Sequence, residues 1–250
     1  MKKALWVTSF GSGDFDRLLD HAMEAGVRLL CIRTTSKALP NFIEKFKEHG
    51  IDVYGWRWPA VVPGPHSAPH YFAAQEADYV ATTLIPAKLA GYIVDPESDG
   101  PGQVDDWNDE KHDALARDFC SRIRKAAEKV EGFHFGVTSG CEYPVNHKRI
   151  PWGAFVEAAD AVYPQTYWRN SGSTAVHGGT PASSYDRGLA AWSRIARGKP
   201  VVAIGGELGS ATPQEIRDFG NLVRDRQEVV HFYADSSATP PAIIKAIASI

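Results

Sequence analysis

Asp95 and Glu97 flank Pro96 at the end of an apolar run, Leu89-Ala90-Gly91-Tyr92-Ile93-Val94. If that run is a strand, period-two alternation puts both carboxyls on the face that carries Ile93. Two carboxyls that close cannot both ionise freely, so one is pushed up in pKa. A carboxylic acid that keeps its proton near neutrality is what a departing glycosidic oxygen needs. Pro96 has no N–H for a ladder, which suits a strand end. The plainer reading is a solvated loop pair, since Ser98, Asp99 and Gly100 follow. Spacing alone does not choose between them; the elements around the pair must.

Those elements recur with a regular rhythm. Eight short runs rich in Val, Ile, Tyr, Phe and Trp span Ala4–Phe10, Val27–Thr34, Val53–Pro59, Ala90–Glu97, Phe133–Ser139, Ala161–Trp168, Pro200–Glu207 and Val229–Asp235. Loop signals and a helical pattern follow each one. Phe15, Leu18, Leu19, Ala22 and Met23 mark one apolar helix face, as do Leu39, Phe42, Ile43 and Phe46. Thr212-Pro213-Gln214-Glu215 forms a capping box, and Gly26, Gly50 and Gly132 sit where helices should stop. Eight strands alternating with helices over 250 residues predict a single-domain (β/α)8 TIM barrel spanning 1–250. An open doubly wound sheet fits less well, because the Gly-x-Gly-x-x-Gly turn is missing after the first run.

A barrel places its chemistry at the carboxyl ends of the strands. Those ends hold Arg33, Trp56-Arg57-Trp58, Asp95-Pro96-Glu97, Glu142, Gln165-Thr166-Tyr167-Trp168, Glu207 and Tyr233-Ala234-Asp235. The opposite ends look bland. Trp56 and Trp58 alternate with Arg57, so both indoles face one way, where they could stack on sugar or pack a core. Core packing is favoured for Trp6 and Trp192, while Trp107, Trp152 and Trp168 fall in loops or at strand ends. Arg33 could bind a substrate carboxylate, though an ion pair with Asp95 or Glu142 is the simpler role.

The segment Tyr92-Ile93-Val94-Asp95-Pro96-Glu97 resembles the Asp-x-Glu signature on strand four of (β/α)8 glycoside hydrolases. Family 25 lysozymes carry it there, and family 18 chitinases end a longer acidic motif the same way. The resemblance implies that Glu97 donates the proton with Asp95 as partner. Tyr163-Pro164-Gln165-Thr166-Tyr167 is similar to the strand-six region of family 18, which implies that Tyr167 helps hold an N-acetyl group acting as internal nucleophile. Gly91 and Ile93 stand where the longer family 18 motif has acids, and Trp6 to Phe10 lacks the strand-one aspartate of family 25. Asp235 suits that family's late aspartate. Catalytic candidates are therefore Glu97, Asp95, Tyr167 and Glu207. Substrate-binding candidates are Arg33, Trp56, Trp58, Glu142, Gln165, Trp168 and Asp235.

Glu97 and Glu207 make a competing pair, because many retaining glycosidases of this fold use strands four and seven. Carboxyls about 5–5.5 Å apart would imply retention and about 6.5–9.5 Å inversion. Glu207 could equally serve a turn or a helix cap. Gly205-Gly206 and Gly209-Ser210 before a capped helix also suggest a sugar-phosphate barrel enzyme. No lysine at a strand end argues against Schiff-base chemistry. A barrel that binds carbohydrate without cleaving it is the third class.

Composition narrows the rest. A net charge of −3 without a basic block argues against a nucleic-acid partner. Cys31, Cys120 and Cys141 are too few and dispersed for a disulfide framework and read as small buried hydrophobes. The nine histidines lack His-x-His or His-Glu-x-x-His spacing, so no metal or cofactor is expected, and His66, His70, His147 and His177 should face solvent. No Gly-x-Ser-x-Gly elbow is present. No apolar run approaches a membrane span and no leader is visible, which makes the cytoplasm the default expectation. The expected partner is a carbohydrate; the glycan and oligomeric state stay open.

Overall fold

A computed structural model describes residues 1–64, 70–98, 100, 103–169 and 179–250. Eight parallel strands close in sequence order into one barrel. They are β1 (Lys2–Val7), β2 (Leu29–Arg33), β3 (Asp52–Arg57), β4 (Gly91–Val94), β5 (His134–Gly140), β6 (Ala161–Gln165), β7 (Ile204–Gly206) and β8 (Val229–Asp235). Helices α1 (Phe15–Ala25), α2 (Ile43–Glu48), α3 (Ala73–Tyr79) and α4 (Asp113–Ala127) follow the first four strands. After β5 come α5 (Tyr143–Asn146) and α6 (Trp152–Ala158), then α7 (Pro181–Trp192), α8 (Pro213–Val223) and α9 (Pro241–Ala248) after the last three strands. All eight predicted runs become strands. Several are shorter than expected, because their last residues leave the ladder to form the barrel rim.

Local chemistry explains the boundaries. The Thr212 hydroxyl accepts from the Glu215 amide at 3.3 Å, and Glu215 accepts from the Thr212 amide at 2.8 Å, closing the predicted box at the start of α8. Gly26 and Gly50 take φ of 67° and 70°, the left-handed geometry that ends a helix, whereas Gly132, also left-handed at 72°, lies in a turn beyond α4, which stops at Ala127. The Leu39–Phe46 helix divides into a 3-10 turn at Leu39–Asn41 and α2, with Pro40 in the turn.

Strand alternation builds two layers. Ala4, Trp6, Cys31, Trp56, Ile93, Tyr163 and Ile204 fill the barrel axis. Their neighbours Leu5, Val7, Ile32, Tyr92, Val94, Val162 and Phe232 face outward into the core beneath the helices. Arg57 follows this outward parity and pairs with Glu76 of α3 at 3.2 Å, both fully enclosed. Thr34 and Tyr92 also donate to Glu76. Burial pushes the Glu76 carboxyl up in pKa while Arg57, Thr34 and Tyr92 oppose it. The three cysteines are free and buried, as expected. Among the described residues, no helix is long and apolar enough to cross a membrane.

Candidate active site at the barrel mouth

Ile93 faces the axis, and the same phase carries Asp95 and Glu97 into a cavity of about 300 Å³ at the carboxyl end of the barrel. Backbone and side-chain ties fix the segment beyond β4. The Asp95 amide donates to the Arg57 carbonyl at 2.8 Å, Ser139 Oγ to the Pro96 carbonyl at 2.9 Å, and the Trp107 amide to the Glu97 carbonyl at 2.9 Å. Asp95 is buried. Gln165, inward on β6, donates through Nε2 to both of its oxygens, at 3.1 and 3.2 Å. Burial first, then the charge of Glu97 and a hydrogen bond shared with it, holds Asp95 well above the usual carboxylate range; Gln165 opposes the shift. The two carboxyls therefore hold a proton between them at a pH where isolated carboxylates would be bare.

Glu207 and Asp105 add two more carboxyls to the lining, with Trp6, Trp56, Trp58, Tyr167 and Tyr233 as its aromatic part. Trp56 stands edge-on to Trp6 at 5.3 Å and tilts against Trp58 at 5.5 Å. Tyr167 stacks on Tyr233 at 4.8 Å. Burial, Tyr233, and the nearby Asp95, Glu207 and Glu97 push the Tyr167 hydroxyl well above its ordinary pKa, so it stays a neutral donor. Trp58 and Asp105 are tied together by Tyr71, which is hydrogen-bonded to the Trp58 side chain and donates to Asp105 at 3.1 Å.

Of the eleven residues nominated by sequence, this cavity gathers Asp95, Glu97, Tyr167, Glu207, Trp56, Trp58 and Gln165. Four lie elsewhere. Trp168 is enclosed against Phe219 at 5.3 Å, because the segment continuing β6 keeps its parity, with Gln165 and Tyr167 facing in and Trp168 out. Asp235 is also enclosed and outward, held by Arg17 at 3.0 Å and His21 at 2.9 Å. Its parity is reversed by a bulge: Leu5 pairs with Phe232 but Val7 with Asp235, so β8 holds one residue more than β1. Glu142 precedes α5 and does not line the cavity. Arg33 pairs with neither Asp95 nor Glu142 among the described residues; it lies 5.1 Å over the Trp58 ring and donates to Thr35.

Other expectations also shift. Trp107 is enclosed against Phe155 and Trp152 is buried beside Trp192, so neither meets a substrate, and Trp192 is core as expected. Trp6 is buried but contributes to the cavity wall, which its early position hid. Asp105 and Tyr233 were missed: Asp105 sits far from any strand, whereas Tyr233 shares the inward parity of His231 and could have been found. His70 and His147 stack on Tyr79 and Tyr143 rather than standing in solvent. His66, His177 and Asp99 fall outside the described residues. A Cβ at Gly205 would come within 2.6 Å of Phe219, so packing accounts for that glycine without a phosphate. No Lys or Arg is among the residues lining the cavity, and the described residues contain no group of three metal-ligating side chains.

No family model and no curated relative matches the chain by sequence. Solved structures do match by shape. A chitinase from Chromobacterium violaceum superposes with a TM-score of 0.66 over 98% of this chain and 97% of its own, at 11% identity. An endo-beta-1,3-glucanase from Amycolatopsis mediterranei, solved with laminaritriose, gives 0.58 over 99% and 98%, at 11% identity. The xylanase and alpha-amylase inhibitor protein from Scadoxus multiflorus gives 0.58 over 100% and 96%, at 14% identity. At these identities the shared property is the fold, a barrel that several glycoside hydrolases use.

Proposed function

We propose that this protein is a glycoside hydrolase whose proton donor is the Asp95–Glu97 pair. The observation that carries this reading is Asp95 itself: buried at the mouth, clamped by Gln165 and raised in pKa by burial and by Glu97. Such a pair keeps a proton ready where sugar rings can lie on tryptophan faces. Glu97 protonates the glycosidic oxygen, and the C1–O bond breaks with its electrons leaving on that oxygen. Glu97 then takes a proton from the water that attacks C1. Asp95 shares that proton with Glu97 between turnovers and leaves it on Glu97 for the next cleavage.

The substrate we infer is a polysaccharide containing N-acetylated sugars. The Tyr167 O–H is a neutral donor in the cavity, suited to the carbonyl oxygen of an N-acetyl group. The chitinase among the structural neighbours supports the same choice. That group attacks C1 from within, and water reopens the ring. Every proton and nucleophile comes from the chain, the substrate or water, so the proposed reaction runs without a metal.

The test is turnover of chitin-type, peptidoglycan and neutral glucan oligomers by the wild type and by Glu97→Gln. Cleavage abolished by the substitution supports the reading. Binding without turnover in the wild type would replace it with a non-catalytic carbohydrate-binding barrel. Glu207→Gln separates the nucleophiles. Equal loss on acetylated and neutral substrates would give the attack on C1 to Glu207.

A further inference from the structure

The sequence suggests a featureless floor, yet a second cavity of about 590 Å³ opens at the amino-terminal end of the barrel. Two glycines make room for the tyrosine rings that line it. A Cβ at Gly91 would come within 2.8 Å of the Tyr54 ring, and one at Gly136 within 2.6 Å of the Tyr163 ring. A side chain at either position would push its tyrosine off the wall and into the axis. Instead Tyr54 lies flat on His134, with ring centres 5.4 Å apart and planes 9° apart.

The buried polar atoms have defined roles. Tyr163 Oη lies 2.7 Å from His134 Nε2, and Asp160 lies 3.9 Å from His134 Nδ1. That carboxylate favours the imidazole proton on Nδ1, so Nε2 accepts from Tyr163 and the phenol oxygen keeps its lone pairs. His231 lines the cavity from within the barrel, with 1% of its surface exposed. Its Nδ1 accepts from the Trp6 indole at 3.1 Å. An indole N–H only donates, so Nδ1 carries no proton and Nε2 must. Burial, with a smaller push from His134, takes the His231 pKa down to about 3, so the ring is a neutral donor across the physiological range. No described residue accepts from that Nε2–H.

That N–H faces the cavity, where the acceptor of a guest can take it. The cavity's charged residues balance: Lys2 and Arg226 against Asp160 and Glu228. Neutral hydrogen-bonding groups, two tyrosine rings and a balanced rim select a neutral guest. We propose that this cavity binds an uncharged, ring-shaped polar molecule the size of a monosaccharide or nucleoside, with its acceptor on His231 Nε2 and its ring beside Tyr54 and Tyr163. The site is independent of the glycosidase reading. Through His231 and Trp6 it also touches the mouth cavity, so occupancy below alters the indole that lines the wall above.

The experiment is NMR titration of the full chain with N-acetylglucosamine and glucose in one arm and adenosine and uridine in the other. The readouts are the ring signals of His134 and His231 and the indole N–H of Trp6. Binding in either arm should move all three, and the arm that binds more tightly identifies the source. Val202→Trp, which fills this cavity from β7's approach, should weaken that binding about tenfold or more, or 1.4 kcal/mol. Sugar binding that survives this substitution unchanged belongs to the mouth and overturns the proposal. Should the variant fail to fold, the wild-type histidine signals decide: no movement with any of the four compounds overturns it as well.

Discussion

At the mouth, Asp95 and Glu97 crowd two acids together beside Glu207 and Asp105, while at the other end Asp160 meets Arg124 at 2.7 Å. Burial pushes Asp160 up, but Arg124, the Phe135 amide and His134 bring its pKa below the usual range. Asp95 has only an amide to set against burial and a neighbouring carboxyl, and its pKa rises. Both ends bury titratable groups among aromatic rings. Only the mouth does so against its own electrostatics, held there by ties from Ser139, Gln165 and the Arg57 carbonyl. The mouth sets an acid beside an acid while the floor pairs Asp160 with Arg124, the pattern expected where a pKa has been set for chemistry.

The sharpest way to break this contrast is Glu97→Gln. It removes the proposed acid, so turnover should fall about 10²–10⁴-fold in a steady-state assay. The same change takes a like charge from beside buried Asp95, and thermal melts at neutral pH should show a stability equal to or above wild type. A large drop in melting temperature would mean that the mouth is an ordinary structural network.

Next in size is the pH dependence. The native state holds the Asp95 proton at pH values where an unfolded aspartate has lost it, so native binds more protons. This contribution to stability is greatest below the ordinary carboxylate pKa and erodes as pH rises through the elevated one. Activity should share that alkaline limb, because the acid form is lost there. Asp95→Asn frees Glu97 from an anionic neighbour, so the limb of kcat/KM should move to lower pH. An unmoved limb would assign it to another group.

Trp58→Ala probes binding rather than proton transfer. Loss of one stacking face at about 0.5–1.5 kcal/mol predicts a two- to roughly tenfold rise in KM with kcat nearly kept. A fall in kcat alone would place Trp58 against the transition state.

Much of the mouth was legible because strand parity is a simple rule. Ile93 to Asp95 to Glu97, Tyr163 to Gln165 to Tyr167, and Trp56 to Trp58 all follow it. The same rule, applied without exception, would have excluded Trp168 and included Tyr233. Asp235 could not be read so, because the bulge that reverses it depends on how β8 pairs with β1. Asp105 belongs to a loop whose path is set by the Tyr71 and Val61 contacts, which are long-range and leave no periodic trace. The lower cavity was hidden for a related reason. Gly91 and Gly136 look like weak strand residues in sequence, and only the pairing of Gly91 with Tyr54, and of Gly136 with Ala161 two residues before Tyr163, shows that they make room for rings.

Tyr163→Phe tests the relaxed side of the comparison. It removes one hydroxyl and leaves the ring on Gly136. His134 Nε2 then loses its donor while Asp160 continues to favour the proton on Nδ1, so a half-buried acceptor loses its partner at about 0.5–1.5 kcal/mol. For a chain of this size that corresponds to roughly 2–4 °C in melting temperature per kcal/mol. The direction is opposite to that expected for Glu97→Gln, although both substitutions delete one polar contact. If both variants lowered the melting temperature alike, the lower network and the mouth would be equally satisfied, and the electrostatic argument for chemistry at the mouth would lose its footing.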